Sequence, residues 1–390
     1  MSVDNIGVNG PALDLGGLPG VTAALAAGAE ENDRTGAFPR AGIETVHAAG
    51  LLTATIAERH GGPGAGLAQT VAILHALGRG DPSVALITAM TLLQHAAQAR
   101  QETWPAGLYA EAVKESFVQP VLINALRVEP ELGTPARGGL PATTARRGPD
   151  GWSLTGRKIF STGAAGLHWM VVWASTDEPE PRIGSFLVRS DSPGITIEPT
   201  WDHLGLRASR SDDVIFDGTP VPDGAIAGLT EPAAAPRADA SVMAWNGLGL
   251  TALYLGVASA ARDWLTTFLT ERTPTALGRP LATLPRFISA VGEIEASLTA
   301  ALDLITALAA RADAGDPLAA SHAGIAKLTG TRAAIGAVEQ AVALVGNNGL
   351  TRKYPLERHY RDVLCSRVHT PQDDSVVTAA GQQAFAALQS

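Results

Sequence analysis

The feature that most constrains this chain is a change of rhythm that happens twice. From about Leu15 to Glu115 apolar residues return at helical spacing, through VTAALAAGAE, GIETVHAAGLLTATIAERH, LAQTVAILHALGRG and PSVALITAMTLLQHAAQA. From Val121 to about Gly228 the texture becomes short alternating or β-branched runs: GWSLTGRKIF, MVVWAST, IGSFLVRS, GITIEPTW and DVIFDGTPVP. Turn signals GPDG, SPG and DG part them. TEPAAAPRADA has the composition of a linker, and beyond it helical spacing returns and stays. An apolar set that repeats every 3.6 residues cannot line one face of a strand, nor can alternation line one face of a helix. The two changes therefore predict an α-helical unit over 1–120, an antiparallel β-unit over 121–230 and a helical bundle over 231–390.

Length agrees, since 390 residues exceed the roughly 250–300 at which single cores stop growing. The many alanines and glycines and few aromatics favour close-packed helices over a large β-sandwich. Breaks at HGGPGAG and RGDPS end one helix and offer a cap for the next. In FISAVGEIEASLTAALDLITALAARADAG, Phe287, Val291, Ile294, Leu298 and Ile305 fall along one helix face, as a bundle helix requires.

A net charge of −9 with no basic run excludes the footprint of a nucleic-acid binder. The single cysteine, Cys365, excludes an intramolecular disulfide and any multi-cysteine zinc site. MSVDNIGVNGPALDLGG lacks the basic and apolar regions of a secretory signal, and no apolar run reads as a membrane span. A cytoplasmic protein is expected, with no membrane contact. No pair of residues has metal-ligand spacing, so no metal is expected. GNNG at 346–349 follows a helix rather than a parallel strand, which excludes the dinucleotide fingerprint.

Three segments carry a resemblance. GWSLTGRKIFSTG at 151–163, WDHLGLRASRSDDVIFDGTPVP at 201–222 and LVGNNGLTRKYPLERHYRD at 344–362 are similar to signatures of the acyl-CoA dehydrogenase superfamily of flavoproteins. The order of helices, β-domain and bundle resembles that family over nearly the whole chain. The resemblance implies a flavin between the β-domain and the bundle, its ring seated by the turn Phe160, Ser161 and Thr162. A flavin needs fixed donors at N5 and O4 to stabilise the charge of reduction.

In relatives that oxidise acyl-CoA thioesters, a glutamate in the final loop takes the α-proton. Aligned by the YPLERHYRD run, that position here is Thr370, directly after His369, and threonine is no general base at neutral pH. Other relatives carry the acid on the first bundle helix, where this chain reads Trp245-Asn246-Gly247-Leu248-Gly249-Leu250, without a carboxylate. Asp373 and Asp374 lie several residues on, past a proline.

The branch whose final loop bears histidine fits better: it resembles the two-component flavin-dependent monooxygenases, such as the dibenzothiophene monooxygenases. There a separate reductase supplies reduced flavin, usually FMN, and oxygen forms a C4a-peroxyflavin. The resemblance then implies a catalytic set of His369 as acid/base, Thr370 as hydroxyl donor and His95. Asn124 and Ser161 hold flavin or substrate, Trp201 or its neighbours stand beside the ring, and Arg272 reaches a flavin phosphate across a subunit boundary. Histidine, with an ordinary pKa of about 6.5, suits proton traffic near neutrality. His168, His203 and His359 are expected to be structural, with His359 on a solvated face beside Glu357 and Arg358, and His60 has no assigned role.

Ala343, Gln372 and Asp374 stand where FAD-binding relatives often use glutamine, threonine and glutamine. An aspartate near a phosphate is repulsive, which favours FMN and keeps FAD as the alternative. The expected activity is monooxygenation of a small or medium apolar substrate. The alternatives are an FAD-dependent acyl-CoA or acyl-carrier-protein dehydrogenase with an unconventional base, and a silent relative without flavin. A homo-tetramer is implied, with a dimer as the alternative.

Overall fold

The computed structural model describes residues 13–132, 139–234 and 240–386. Five helices come first: α1 (Leu18–Thr35), α2 (Arg40–Ala48), α3 (Leu67–Gly80), α4 (Pro82–Arg100) and α5 (Ala106–Ser116). The RGDPS break works as its residues dictate. Asp81 accepts from the backbone N–H of Ser83 and Val84 at 2.8 and 3.3 Å, and Pro82 takes the first helical position, where no N–H is needed.

Eight strands follow: β1 (Leu122–Leu126), β2 (Thr144–Gly148), β3 (Gly151–Lys158), β4 (Leu167–Thr176), β5 (Ile183–Arg189), β6 (Ile195–Glu198), β7 (Asp213–Val221) and β8 (Ile226–Thr230). They form one sheet ordered β6-β7-β3-β2-β4-β5-β8, with β1 added on β4. Most pairings are antiparallel, but β1 and β2 both lie parallel to β4. A tight turn cannot make a parallel pair, so these two neighbours are reached by long connections that alternation in sequence does not encode.

At the end of β3 the sheet buries an ion pair. The Lys158 ammonium lies 2.6 Å from Glu129 Oε1 and donates to the Trp173 carbonyl at 2.6 Å. Glu129 also accepts from the N–H of Ala142 at 2.6 Å, and from the N–H and hydroxyl of Thr143 at 2.9 and 2.6 Å. Burial alone would raise the Glu129 carboxyl, but these donors hold it below its ordinary value.

The last unit is α6 (Ala240–Glu271), α7 (Pro285–Asp313), α8 (Pro317–Val345), α9 (Leu356–Leu364) and α10 (Asp373–Ala386). On α7, Phe287, Ile294, Leu298 and Ile305 are buried and Val291 packs on the core, the expected stripe. Residues 235–239 of the linker lie outside the described residues. The expectation that no segment suits a membrane needs correction. Residues Ser241–Glu271 of α6 are long and apolar enough to cross one, yet 78% of that apolar window is buried inside the protein, which makes it the bundle's core helix.

α6 also packs on α3 at backbone contact. A Cβ at Gly78 would stand 2.2 Å from the Leu253 carbonyl oxygen, and one at Gly256 would stand 2.3 Å from that of His75. Only glycine permits this approach. The sheet joins the bundle at α9, where Asp362 Oδ1 accepts from the Leu206 N–H at 2.7 Å.

Candidate active site

Strand β3 ends in the turn that holds the first half of the site. Phe160 has φ +55° and is 53% exposed, an unusual position for a large aromatic ring. Its neighbours turn inward and are fixed by the chain. The Ser161 N–H donates to Asp212 O at 3.2 Å and the Gly163 N–H to Ser209 O at 2.8 Å. Thr162 Oγ1 is 3.0 Å from Ser211 Oγ, which lies 2.9 Å from Ser209 Oγ. Asn124 of β1 donates to the Thr162 carbonyl at 3.0 Å.

Trp201 closes this surface. Its backbone N–H donates to Asp212 Oδ1 and its indole N–H to Leu206 O, both at 3.0 Å. His203 stacks on it with ring centroids 3.6 Å apart and planes at 12°, and Phe160 meets both rings edge-on. Asn124, Phe160, Ser161, Thr162 and Trp201 are therefore brought together, and His203 belongs with them as the partner of Trp201.

The second half lies in the bundle, around the loop before α10. His369 Nε2 is 2.7 Å from the Tyr254 hydroxyl of α6. Desolvation, with a smaller contribution from the Lys327 charge, lowers the His369 pKa to about 4, so its imidazole is neutral at neutral pH. Tyr254 is fully buried, and desolvation holds its phenol well above the ordinary value, so it keeps its proton. Its hydroxyl has no other hydrogen-bond partner among the described residues. Donation to Nε2 is thus the arrangement that leaves no buried O–H unsatisfied, and it places the imidazole proton on Nδ1.

Asn246 of α6 donates to the Thr370 carbonyl at 2.7 Å. Lys327 of α8 is buried, its ammonium 3.3 Å from Asp373 Oδ1. Asp373 is also 3.6 Å from Arg332. Tyr254 feels the charge of Asp362, the residue that holds Leu206, so α9 joins the two halves. Burial raises Asp362 to about 7. Burial also pushes the Cys365 thiol up to about 12, which removes it as a nucleophile.

His95 stands apart from both groups. It is fully buried on α4, with Nδ1 3.0 Å from the Tyr109 hydroxyl and no partner at Nε2. Burial lowers its pKa to about 3. One turn earlier on the same helix, Thr91 Oγ1 accepts from the Ile123 N–H at 3.0 Å, beside Asn124. His60 meets Tyr109 edge-on, with ring centroids at 5.1 Å. Arg272 is exposed, directly after the end of α6.

One expectation is overturned. His359, read as part of a solvated face, is buried on α9 with Nδ1 unpartnered, and burial lowers its pKa to about 3. Glu357 and Arg358 flank it in sequence, but its own ring turns to the core. Tyr254 and Lys327 were missed. In LTALYLGVA and AGIAKLTG they read as one more core aromatic and one more surface charge, and only the fold places them beside His369.

Whether the residues fit a flavin is tested by what they leave unsatisfied. Ser161 Oγ is buried without a partner, next to an aromatic ring that the chain does not cover. A bound isoalloxazine ring would use both, so the residues fit. A β-surface with these features, joined to a bundle that supplies a neutral imidazole, fits the class of flavin oxidoreductases.

Family models agree. Residues 21–110, 128–219 and 248–373 match the N-terminal, middle and C-terminal domains of acyl-CoA dehydrogenase. The chain is 32% identical over 361 residues to the putative acyl-CoA dehydrogenase YdbM of Bacillus subtilis, covering 92% of each. It belongs to the acyl-CoA dehydrogenase superfamily, whose members are flavin oxidoreductases.

Among solved structures, KijD3 in complex with FMN and dTDP-3-amino-2,3,6-trideoxy-4-keto-3-methyl-D-glucose superposes with a TM-score of 0.81 at 27% identity, covering 97% of this chain and 95% of that one. FMN-bound TdsC from Paenibacillus sp. A11-2 superposes at 0.83 with 22% identity, covering 94% and 96%, a likeness of fold alone.

Proposed function

We propose that this protein is a reduced-FMN-dependent monooxygenase of a small or medium apolar substrate, working as a homo-tetramer with a separate flavin reductase. One observation carries the reading. The two places where dehydrogenating relatives keep their base are neutral here and bonded to each other, Asn246 to the Thr370 carbonyl at 2.7 Å. The carboxylate nearest in sequence, Asp373, is engaged by Lys327 and Arg332.

Bound reduced flavin supplies the electrons that activate oxygen. Phe160 and Thr162 seat the ring, with Ser161 Oγ as a donor to its polar edge. His369, neutral and with its proton on Nδ1, is a hydrogen-bond donor to the oxygen being transferred or to the substrate heteroatom, and Tyr254 fixes that tautomer. Arg272 serves the cofactor phosphate from a neighbouring subunit. Asn124, through its bond to the Thr162 carbonyl, braces the β-side. A water-excluding site is what oxygen transfer requires, because leakage releases peroxide instead.

The test is to load the protein anaerobically with reduced FMN, mix it with oxygenated buffer and follow the absorbance. A transient that is neither reduced nor oxidised flavin, shortened in His369→Ala, is expected. Direct reoxidation, with reduction of bound FAD by an acyl thioester, would overturn the proposal in favour of the dehydrogenase that the likeness to YdbM supports.

A further inference from the structure

Strand β7 lies between β6 and β3, and those two strands lead into the two walls of the ring seat. At one end of the sheet Lys158 of β3 pairs with Val214, and Glu198 of β6 pairs with Asp213. Beyond these pairs the ladders stop: β3 runs on into Phe160–Thr162, and β6 runs on towards Trp201. Two strands flanking a third stand roughly 10 Å apart, so the two exits need a tie that the ladder no longer supplies. Asp212, the residue before β7, stands between them.

Asp212 bonds to both. Its carbonyl accepts from the Ser161 N–H at 3.2 Å, and its Oδ1 accepts from the Trp201 N–H at 3.0 Å. Its Oδ2 accepts from Arg210 Nε at 2.9 Å, which holds the carboxylate from its other side. The residue is fully buried, so both oxygens depend on these partners rather than on solvent. Among the described residues no other hydrogen-bonds both the turn and Trp201. Because one tie uses the main chain and the other the side chain of the same residue, the gap between the walls is set by the side-chain torsions of Asp212. Phe160 and Trp201, with ring centroids 6.4 Å apart and planes at 80°, stand on either side of that gap.

We propose that Asp212 is a positioning residue for the flavin: it sets the spacing between the Phe160–Thr162 turn and Trp201, and through that spacing the orientation of the isoalloxazine ring. Asp212 acts through Ser161 and Trp201, not by contact with the ring. The inference rests on the reading that seats the flavin on this surface.

The test reads flavin affinity by fluorescence quenching as FMN is titrated into the full chain, together with the visible circular dichroism of the bound ring. The dichroism reports how the ring is held, which a loss of stability alone does not move. Asp212→Ala is expected to weaken FMN about tenfold, the effect of losing one charge-assisted hydrogen bond, and to change the dichroic bands. Asp212→Asn keeps an oxygen for the Trp201 N–H and is expected to bring affinity back to within about threefold of native, with native bands. Asp313→Ala is the control for stability: that carboxylate accepts from the N–H groups of Leu67 and Ala68 at 2.7 and 2.9 Å and, among the described residues, bonds nothing in the sheet. It is expected to lower the melting temperature and leave both flavin readings unchanged. Native readings in Asp212→Ala, no recovery in Asp212→Asn, or an equal change in Asp313→Ala would each overturn the inference. Should Asp212→Ala fail to fold, Asp212→Glu decides: the added methylene shifts the Trp201 tie, so altered bands support the inference and native bands overturn it. Altered bands in Asp212→Ala, with no oxygen-dependent flavin transient in the native protein, would overturn the functional proposal alone. The native transient with unaltered bands in Asp212→Ala would overturn this inference alone. A native protein that binds no flavin would overturn both.

Discussion

Lys158 and Lys327 are buried to the same depth, with side-chain exposures of 0% and 1%, yet they are matched very differently. Lys158 meets a carboxylate at 2.6 Å and a carbonyl at 2.6 Å, and that carboxylate is itself satisfied by three further donors. Among the described residues Lys327 has one ionic contact at 3.3 Å, to an aspartate whose side chain is 35% exposed and shared with Arg332. A fully matched charge fixes geometry and perturbs nothing beyond itself. A charge matched this loosely extends its field to its neighbours, and here the neighbour is His369. Lys158 therefore anchors the strand that delivers Phe160, whereas Lys327 adds its repulsion to the desolvation that already keeps the His369 imidazole neutral.

The largest effect is expected from Lys158→Met, which strands a buried glutamate. Removing one member of such a pair costs about 3–5 kcal/mol, readable as a drop in the urea midpoint. A loss below about 1 kcal/mol would break the comparison, because Glu129 would then be shown to shed its charge easily.

His369→Asn is expected to lower substrate turnover by about 10²–10⁴-fold with little change in the melting temperature, the usual range for a lost proton-handling group. Comparable loss of both would mean that the histidine is structural. Lys327→Met sharpens the contrast more directly. The repulsion that disfavours imidazolium disappears, so the His369 titration moves up from about 4 towards its ordinary 6.5. Histidine NMR follows that shift, and the acid limb of the pH–rate profile should move to higher pH with it. An unmoved resonance would leave desolvation as the sole cause.

A pH-dependent effect concerns Asp362, a third buried group, whose carboxyl is raised by burial to about 7 from an ordinary 3.8. The folded state binds this proton more tightly than the unfolded state. Stability is therefore greatest below the ordinary pKa and falls as pH rises from about 4 to about 7. Asp362→Asn is expected to flatten that dependence in thermal melts across this window. A slope unchanged from the native protein would place the titration elsewhere.

The two halves of the site also differ in how far the sequence discloses them. Periodicity announces three units, and RGDPS announces the start of α4, because capping and helix entry are local. The turn Phe160 to Thr162 and the segment at Trp201 are legible differently, through the resemblance of GWSLTGRKIFSTG and WDHLGLRASRSDDVIFDGTPVP to family signatures. Their neighbours in space are largely fixed by β-pairing between nearby segments, though Asn124 reaches them through the non-local β1–β4 pair. Tyr254 and Lys327 reach His369 from α6 and α8, a meeting set by helix packing over more than a hundred residues of separation in the case of Tyr254. Nothing in their own neighbourhoods marks them. His359 shows the converse error: its charged neighbours suggest a wet face, but the helix turns its ring inward. The role read for Arg272 needs a second copy of the chain, so one chain's contacts neither supply nor remove it.

The glycine contact between α3 and α6 bears on motion. With Gly78 and Gly256 seated against opposing carbonyls, α6 has no room to slide or roll without backbone collision. Asn246 and Tyr254, which ride on it, are fixed points. Movement of the short segment that carries His369 and Thr370 is therefore movement relative to two anchors held by α6.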